Sequence, residues 1–444
     1  MKPVLFPLKR WLLVGVLTLA IFFLGAPSPG FSLGAPRLSD PQATEETRFF
    51  FDRLHAVGSE GMLFGHQDSP LYGLDGTGGT WRKQDGLNED RSDVRSATGS
   101  HPALVGFDVH RAVSGLRVGN PAEADILVRE VVVAHGRGQA VTLSWHAEDP
   151  VDRGDFSSYP NRVFEARRRR RALQGLDPAL CARTPECAEL TPIELPEARR
   201  VSQVLPNGAR HEDFLRTLDV LAGLLGRMKD GGGRPIPLIF RPWHEHNGSW
   251  FWWGGEFRRP EEFGALWRLT VERLRDHHGL HHLIWAYSPN QSRETVAEYF
   301  SGYPGDAFVD VFGFDAYHGL DSEEGAERTG RELAWIVEQA EEHGKLPALT
   351  ETGLEAFRWG PYADPSRRGE RNPTWFSRNV GRALSTGPAA SRIRYWMVWR
   401  NASETHHYFP SVSDAEVISD FLAARREHRW LLLDDLKQSL YSAF

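Results

Sequence analysis

The chain has 444 residues, 41% of them apolar, with 52 Lys and Arg against 59 Asp and Glu for a net charge of −7. That length and apolar content suffice for a large core and exclude a disordered polymer. The negative balance provides no basic field for phosphate backbones and excludes a nucleic-acid partner, and two Cys exclude a cysteine-rich scaffold or a four-thiolate zinc site.

Residues 1–34 read as a leader: basic Lys2, Lys9 and Arg10, an apolar run from Trp11 to Gly25, then small residues and prolines. This tripartite pattern predicts a secretory signal cut before Ala35, behind Ser32 and Gly34, with an uncleaved anchor as the other form. Either form places the folded part in an extracytoplasmic, oxidising space, where Cys181 and Cys187 could pair as a small disulfide loop. From residue 35 to 444 no repeat or low-complexity linker divides the chain, which predicts one large domain.

Eight apolar runs of strand length follow in order: Gly61–Gln67, Ala103–Val109, Gln139–His146, Pro235–Glu245, His282–Pro289, Phe308–Tyr317, Leu346–Thr352 and Arg394–Asn401. Helical periodicity separates them. Phe214, Leu218, Leu221, Leu225 and Met228 share one face of a helix predicted from His211 to Asp230 and stopped by Gly231–Gly233, and Phe263, Trp267, Val271 and Leu274 mark another behind Pro260. Continuous apolar strands alternating with helices predict a parallel sheet covered on both faces, and eight of them an α/β fold of the (β/α)8 TIM-barrel type. About 60 residues from 147 to 210 form an insertion that holds both Cys and the solvated run Arg167–Arg171.

Polar residues gather after the apolar runs: His66 and Gln67, Asp108, His146, His244 and Glu245, Asp315 and Tyr317, Glu351, Arg400 and Asn401. Those are C-terminal strand ends, where barrel active sites form. The densest stretch, RPWHEHNGSWFWWGG at 241–255, sets four of the 15 Trp beside an acid, two His and an Asn. Pro242, Asn247 and Gly248 turn it into a loop, which predicts Glu245 in the barrel mouth beside Trp250, Trp252 and Trp253. Aromatic surroundings desolvate a carboxyl group, raise its pKa and suit it to donate a proton. A second acid, Glu351, tips the buried strand of LPALTETG, with Glu355 as a rival beyond Gly353. Glycoside hydrolysis with retention uses two carboxyls about 5–5.5 Å apart, one attacking the anomeric carbon and one protonating the leaving oxygen. Strands four and seven lie nearly opposite in an eight-strand ring, so their tips can supply that pair. The spacing of His244 and His246 alternatively fits two metal ligands, and a barrel that binds glycans without chemistry is a further alternative.

The stretch RPWHEHNGSWFWWG, with TETG, TLSWH, GFDAY and the Trp399-Arg400-Asn401 triplet, resembles glycoside hydrolase family 26, most of all its β-mannanases, over essentially residues 40–420. The resemblance implies Glu245 as acid/base and Glu351 as nucleophile. It implies that His146, His244 and Tyr317 hydrogen-bond around the scissile sugar, that Tyr317 holds the nucleophile, and that Trp250 and Trp399 stack on sugar rings. Arg400 joins them as a substrate contact, with Arg241, Asn247 and Asp315 supporting. His246 departs from the family, whose members often carry Met or another residue there. The implied activity is a retaining endo-β-1,4-mannanase needing no cofactor or metal and no obligate protein partner, its substrate a β-mannan polysaccharide. A β-1,3-xylanase or mixed-linkage β-glucanase uses the same two acids and is the alternative within the family.

Overall fold

Each of the eight apolar runs contains a strand whose residues are almost all buried, as happens when both faces of a parallel sheet are covered. The structure, a computed structural model, describes residues 36–83, 90–151, 199–248, 250–291, 296–360 and 366–441. The leader at 1–34, the Cys181–Cys187 pair, the Arg167–Arg171 run and most of the 147–210 insertion lie outside the described residues. The strands are β1 (Met62–Gln67), β2 (Leu104–Asp108), β3 (Ala140–Trp145), β4 (Leu238–Pro242), β5 (Leu283–Tyr287), β6 (Val311–Ala316), β7 (Leu346–Thr352) and β8 (Tyr395–Val398). They pair in parallel in chain order, and β8 returns to β1 with Leu63 opposite Tyr395 and His66 opposite Val398, which closes the expected (β/α)8 barrel. A two-residue strand, Trp430–Leu431, adds to β1, and Tyr72–Leu74 forms a hairpin with Thr80–Arg82.

Alternation along the strands splits the core in two. Leu63, Leu104, Ala140, Ile239, Ile284, Val311, Ala348 and Tyr395 belong to one buried cluster. Phe64, Val105, Phe107, Val141, Leu143, Phe240, Trp285 and Trp396, one residue out of phase, join the surrounding helices in another. Phe50, Phe51, Leu54 and Val57 of the helix Glu45–Val57 pack with the first cluster, at the start of the strands. The end left for chemistry is the C-terminal one.

The helix beginning at His211 ends at Leu225, five residues before the predicted Asp230. Met228 is nevertheless fully buried, so the apolar stripe outlasts the helix. The N–H groups of Arg227 and Met228 reach back only to the carbonyls of Leu224 and Leu225, and Lys229 then bridges Pro235. Gly231–Gly233 make the turn of that bridge, with Gly233 at φ 81°. The Pro260 helix runs to Val271 and continues as a π turn to His277, which keeps Leu274 on the buried face.

Candidate active site

The acid/base candidate stands on a strained loop. Beyond Pro242 the chain takes left-handed backbone at Trp243 (φ 52°) and Glu245 (φ 53°), each costing on the order of 1–3 kcal/mol for a residue with a Cβ. Surrounding bonds fix that geometry. The Trp243 indole is fully buried against Trp145, Trp252 and Trp253 and donates to Thr270 Oγ1 at 3.1 Å. Glu245 N–H donates to Ser288 O at 2.8 Å, and the Asn247 side chain exchanges two 2.8 Å hydrogen bonds with the Asn290 backbone. Asn247 thereby supports the loop from outside. Gly248 is required by close approach, since a Cβ there would lie 2.4 Å from the Trp250 ring.

Trp250 folds back over this loop and donates its indole N–H to Glu245 Oε2 at 2.5 Å. Trp252 and Trp253 do not reach the barrel mouth as predicted. Both are fully buried, with their indole N–H groups satisfied by the carbonyls of Ala147 and His244. A backbone acceptor within reach is what permits an indole to leave water completely.

The second acid sits at the tip of β7, 4% exposed. Glu351 Oε2 accepts from the Tyr317 hydroxyl at 2.9 Å, and Oε1 accepts from Arg241 Nη2. Arg241, 1% exposed, also donates through Nη1 to Asp315 Oδ2 at 2.9 Å. The other oxygen of Asp315 accepts from Ser288 Oγ at 2.8 Å and Thr350 Oγ1 at 2.7 Å. One guanidinium thus faces two carboxylates, and the cluster holds more negative charge than Arg241 neutralises. Burial, and then the charges of Asp315 and Glu351, raise Glu245 well above the ordinary carboxyl range, although Trp250 and Arg241 oppose the rise. Burial also lifts Asp315, to about 7, against the pull of Arg241. Tyr317, Arg241 and, through Arg241, Asp315 are thus gathered around Glu351. Replacing Arg241 by Met will leave both acids buried without a countercharge and cost about 3–5 kcal/mol in a urea unfolding titration; a loss under about 1 kcal/mol would contradict the buried pairing.

On the opposite wall, His146 Nδ1 lies 2.5 Å from Asp108 Oδ2, and its Nε2 lies 3.2 Å from His244 Nε2. Burial alone would raise Asp108, but His146, the His110 N–H and Ser144 outweigh it and hold it at about 2. His244 is driven well below the ordinary imidazole range by burial and then by Arg241, so it stays neutral. Both His, Glu245, Trp250, Tyr317, Glu351 and Trp399 line one cavity of about 1010 Å³ at the C-terminal barrel face. Those seven predicted residues converge on it, while Arg241 and Asp315 stand behind Glu351 and Asn247 ties the loop from outside. Arg400 does not line the cavity: its Nη1 donates to Tyr72 Oη at 3.4 Å, and that hydroxyl donates to Asp68 at 2.5 Å. Its guanidinium also lies 5.7 Å from the centroid of the Trp399 ring, so it stands beside that ring and not on the cavity surface.

Glu355 also lines the cavity, but it pairs with His406 Nδ1 at 2.7 Å and lacks the Arg241 and Tyr317 contacts of Glu351. His244 and His246 do not share a ligand position, since His246 bonds Tyr287 and Arg258 instead. Among the described residues, no group of three or more His, Cys, Asp and Glu is arranged to hold a metal ion. Trp359 and Tyr408 line the cavity without having been predicted. Tyr408 sits edge-on to Tyr317 at 5.8 Å, and Gly353 lets it approach, since a Cβ there would lie 2.2 Å from the ring. Their only trace in the sequence is an aromatic residue in the loop after β7 or β8.

A family model described as Glycosyl hydrolase family 26 matches residues 39–168 and 190–356. A mannan endo-1,4-beta-mannosidase of Bifidobacterium adolescentis is 28% identical over 399 residues, 87% of this chain and 34% of the relative. Another, from Thermothelomyces thermophilus, is 27% identical over 69% of this chain and 51% of its own length. The chain thus spans about a third and about half of the length of these two relatives. Among solved structures, a double mutant of the Cellulomonas fimi endo-beta-1,4-mannanase superposes with a TM-score of 0.73 at 30% identity, covering 92% of this chain and 80% of the other. A family 26 beta-mannanase from Bacteroides ovatus gives 0.69 at 29% identity, over 90% and 98%.

Proposed function

The chain belongs to glycosyl hydrolase family 26, and from that premise we propose that it is a retaining endo-β-1,4-mannanase acting on mannan, galactomannan or glucomannan. One observation carries the reading: two acids, one on the loop after β4 and one at the tip of β7, line a single cavity in different surroundings. Burial and its neighbours' charge favour the protonated form of Glu245, while Glu351 accepts from both Arg241 and Tyr317.

The chemistry follows as a double displacement. Glu351 attacks the anomeric carbon as the glycosidic C–O bond breaks, and Glu245 gives its proton to the departing oxygen. A glycosyl ester on Glu351 results. Ester formation removes the Glu351 charge that helped to keep Glu245 protonated, so Glu245 loses affinity for a proton and becomes a base. It then takes a proton from water as the water oxygen attacks the anomeric carbon and the ester bond breaks, which restores both acids. Trp250 and Trp399 offer ring faces to the apolar side of the sugars, and His146 with His244 offers polar contacts to the hydroxyls. A polymeric substrate fits the extracytoplasmic setting that we propose for the protein from residues 1–34.

Trp250 donates to the ionised form of Glu245, so its hydrogen bond lowers the Glu245 pKa. Trp250→Phe removes that bond and raises the pKa, and the protonated acid persists further into base. The alkaline limb of the kcat/KM profile for a mannooligosaccharide will therefore move to higher pH. An unmoved or acid-shifted limb would detach this limb from Glu245.

The substrate is tested by chromatography of products from β-1,4-mannan, galactomannan, β-1,3-xylan and mixed-linkage glucan, each incubated with the purified protein. The proposal expects mannobiose and longer mannooligosaccharides from the first two substrates and nothing from the others. Products from xylan or glucan alone would overturn the substrate while leaving the two acids in place.

A further inference from the structure

The histidine that follows Glu245 has no part in the cavity. His246 is fully buried, its ring stacked on Phe263 with centroids 4.0 Å apart. Its Nδ1 lies 2.6 Å from Arg258 Nη2, which also donates to the His246 carbonyl at 3.1 Å. Arg258 Nε donates to Trp253 O at 3.2 Å, and its guanidinium lies 4.4 Å above the Phe263 ring. A guanidinium has no lone pair to offer, so Nδ1 must be the acceptor and Nε2 must carry the proton. That Nε2–H points to the Tyr287 hydroxyl at 2.9 Å, and the Tyr287 hydroxyl in turn donates a hydrogen bond to Tyr299 O at 2.6 Å. Every donor then finds an acceptor along one direction: Arg258, His246, Tyr287, Tyr299. Burial, and then the Arg258 charge, keep the imidazole neutral, as this arrangement requires.

These bonds clamp the acid/base loop at both ends. Arg258 grips the loop at His246 and again at Trp253. Tyr287 and Ser288, consecutive at the end of β5, hold the His246 ring and the Glu245 N–H respectively. Glu245 carries the Ser288 grip and directly precedes His246, in left-handed backbone that would relax if its neighbour were released. An apolar residue at 246 could cover Phe263, but it would leave Arg258 Nη2 without its ring acceptor and take from Tyr287 the proton it accepts.

We propose that His246, held between Arg258 and Tyr287, is a positioning residue that aims Glu245 at the departing oxygen; the inference rests on the acid/base role proposed above. Misaimed, Glu245 fails where proton donation matters and not where the leaving group departs unaided. The test compares kcat/KM for a β-1,4-mannooligosaccharide, a poor leaving group, with that for a 2,4-dinitrophenyl β-mannobioside, a good one, in the wild-type, His246→Met, His246→Gln and Tyr287→Phe proteins, each checked for folding by circular dichroism. His246→Met is expected to lower the first value roughly 10-fold or more and the second by less than about 3-fold. His246→Gln, which keeps an acceptor for Arg258 and a donor for Tyr287, is expected to restore the ratio to within about 3-fold of wild type. Tyr287→Phe will move the ratio in the same direction as His246→Met, and it decides the matter alone if that variant does not fold. A ratio unchanged in the folded variants, or equal losses on both substrates, would overturn the inference while the wild-type enzyme remains active on both. A wild-type protein inactive on both would overturn the acid/base reading itself, and the inference with it.

Discussion

Glu351→Ala will lower turnover by about 10⁴-fold or more on every β-mannoside, whatever its leaving group, because no leaving group compensates for a missing nucleophile. The fold should survive, since the change relieves Arg241 of one of two acids and leaves its bond to Asp315 in place. The vacated space lies on the face from which Glu351 attacks, so azide placed there is expected to yield the α-mannosyl azide from an activated β-mannoside. Steady-state rates and the configuration of the azide check both statements. Turnover within tenfold of wild type would move the nucleophile elsewhere, and Glu355, paired with His406 at the cavity rim, is the residue it would move to.

Glu245→Ala separates the two steps. Proton donation contributes on the order of 10²–10⁴-fold, and the loss should appear in full on mannooligosaccharides, whose leaving sugar needs the proton. A dinitrophenyl β-mannobioside should still form the glycosyl ester quickly, then stall for want of a base toward water. Azide needs no base, and it is expected to restore turnover with the β-mannosyl azide as product. Equal losses on good and poor leaving groups, with no rescue, would remove Glu245 from its role.

Much of this site was legible because strand ends are legible. The eight runs stand out since both faces of each strand are buried, and Leu346–Thr352 has the predicted bounds to the residue. With the barrel fixed, the tips of β4 and β7 had to bring Glu245 and Glu351 to one face. The errors share a cause, which is that a sequence gives side-chain direction poorly outside regular structure. Trp252 and Trp253 share a stretch with Trp250, yet only Trp250 lines the cavity, and which indoles find backbone acceptors is settled by loop geometry. Arg400 follows Trp399, yet its guanidinium goes to the Tyr72 hydroxyl and the Trp399 ring and not to the cavity. Long-range pairing was equally hidden: Arg241 meets Asp315 and Glu351, 74 and 110 residues away, and nothing local distinguishes it from any strand-end arginine. His246 was noticed for being unusual, but its partner Arg258 lies on the far side of the tryptophan-rich loop.

The most direct test of the two-glutamate mechanism is the configuration of the first product, read by proton NMR of the anomeric region during the opening minutes of mannooligosaccharide hydrolysis by the wild-type protein. Two successive displacements, by Glu351 and then by water, predict that the newly formed reducing end appears first as the β anomer and drifts to the α/β equilibrium by mutarotation. An α anomer appearing first would mean a single displacement by water and would contradict the nucleophilic role of Glu351.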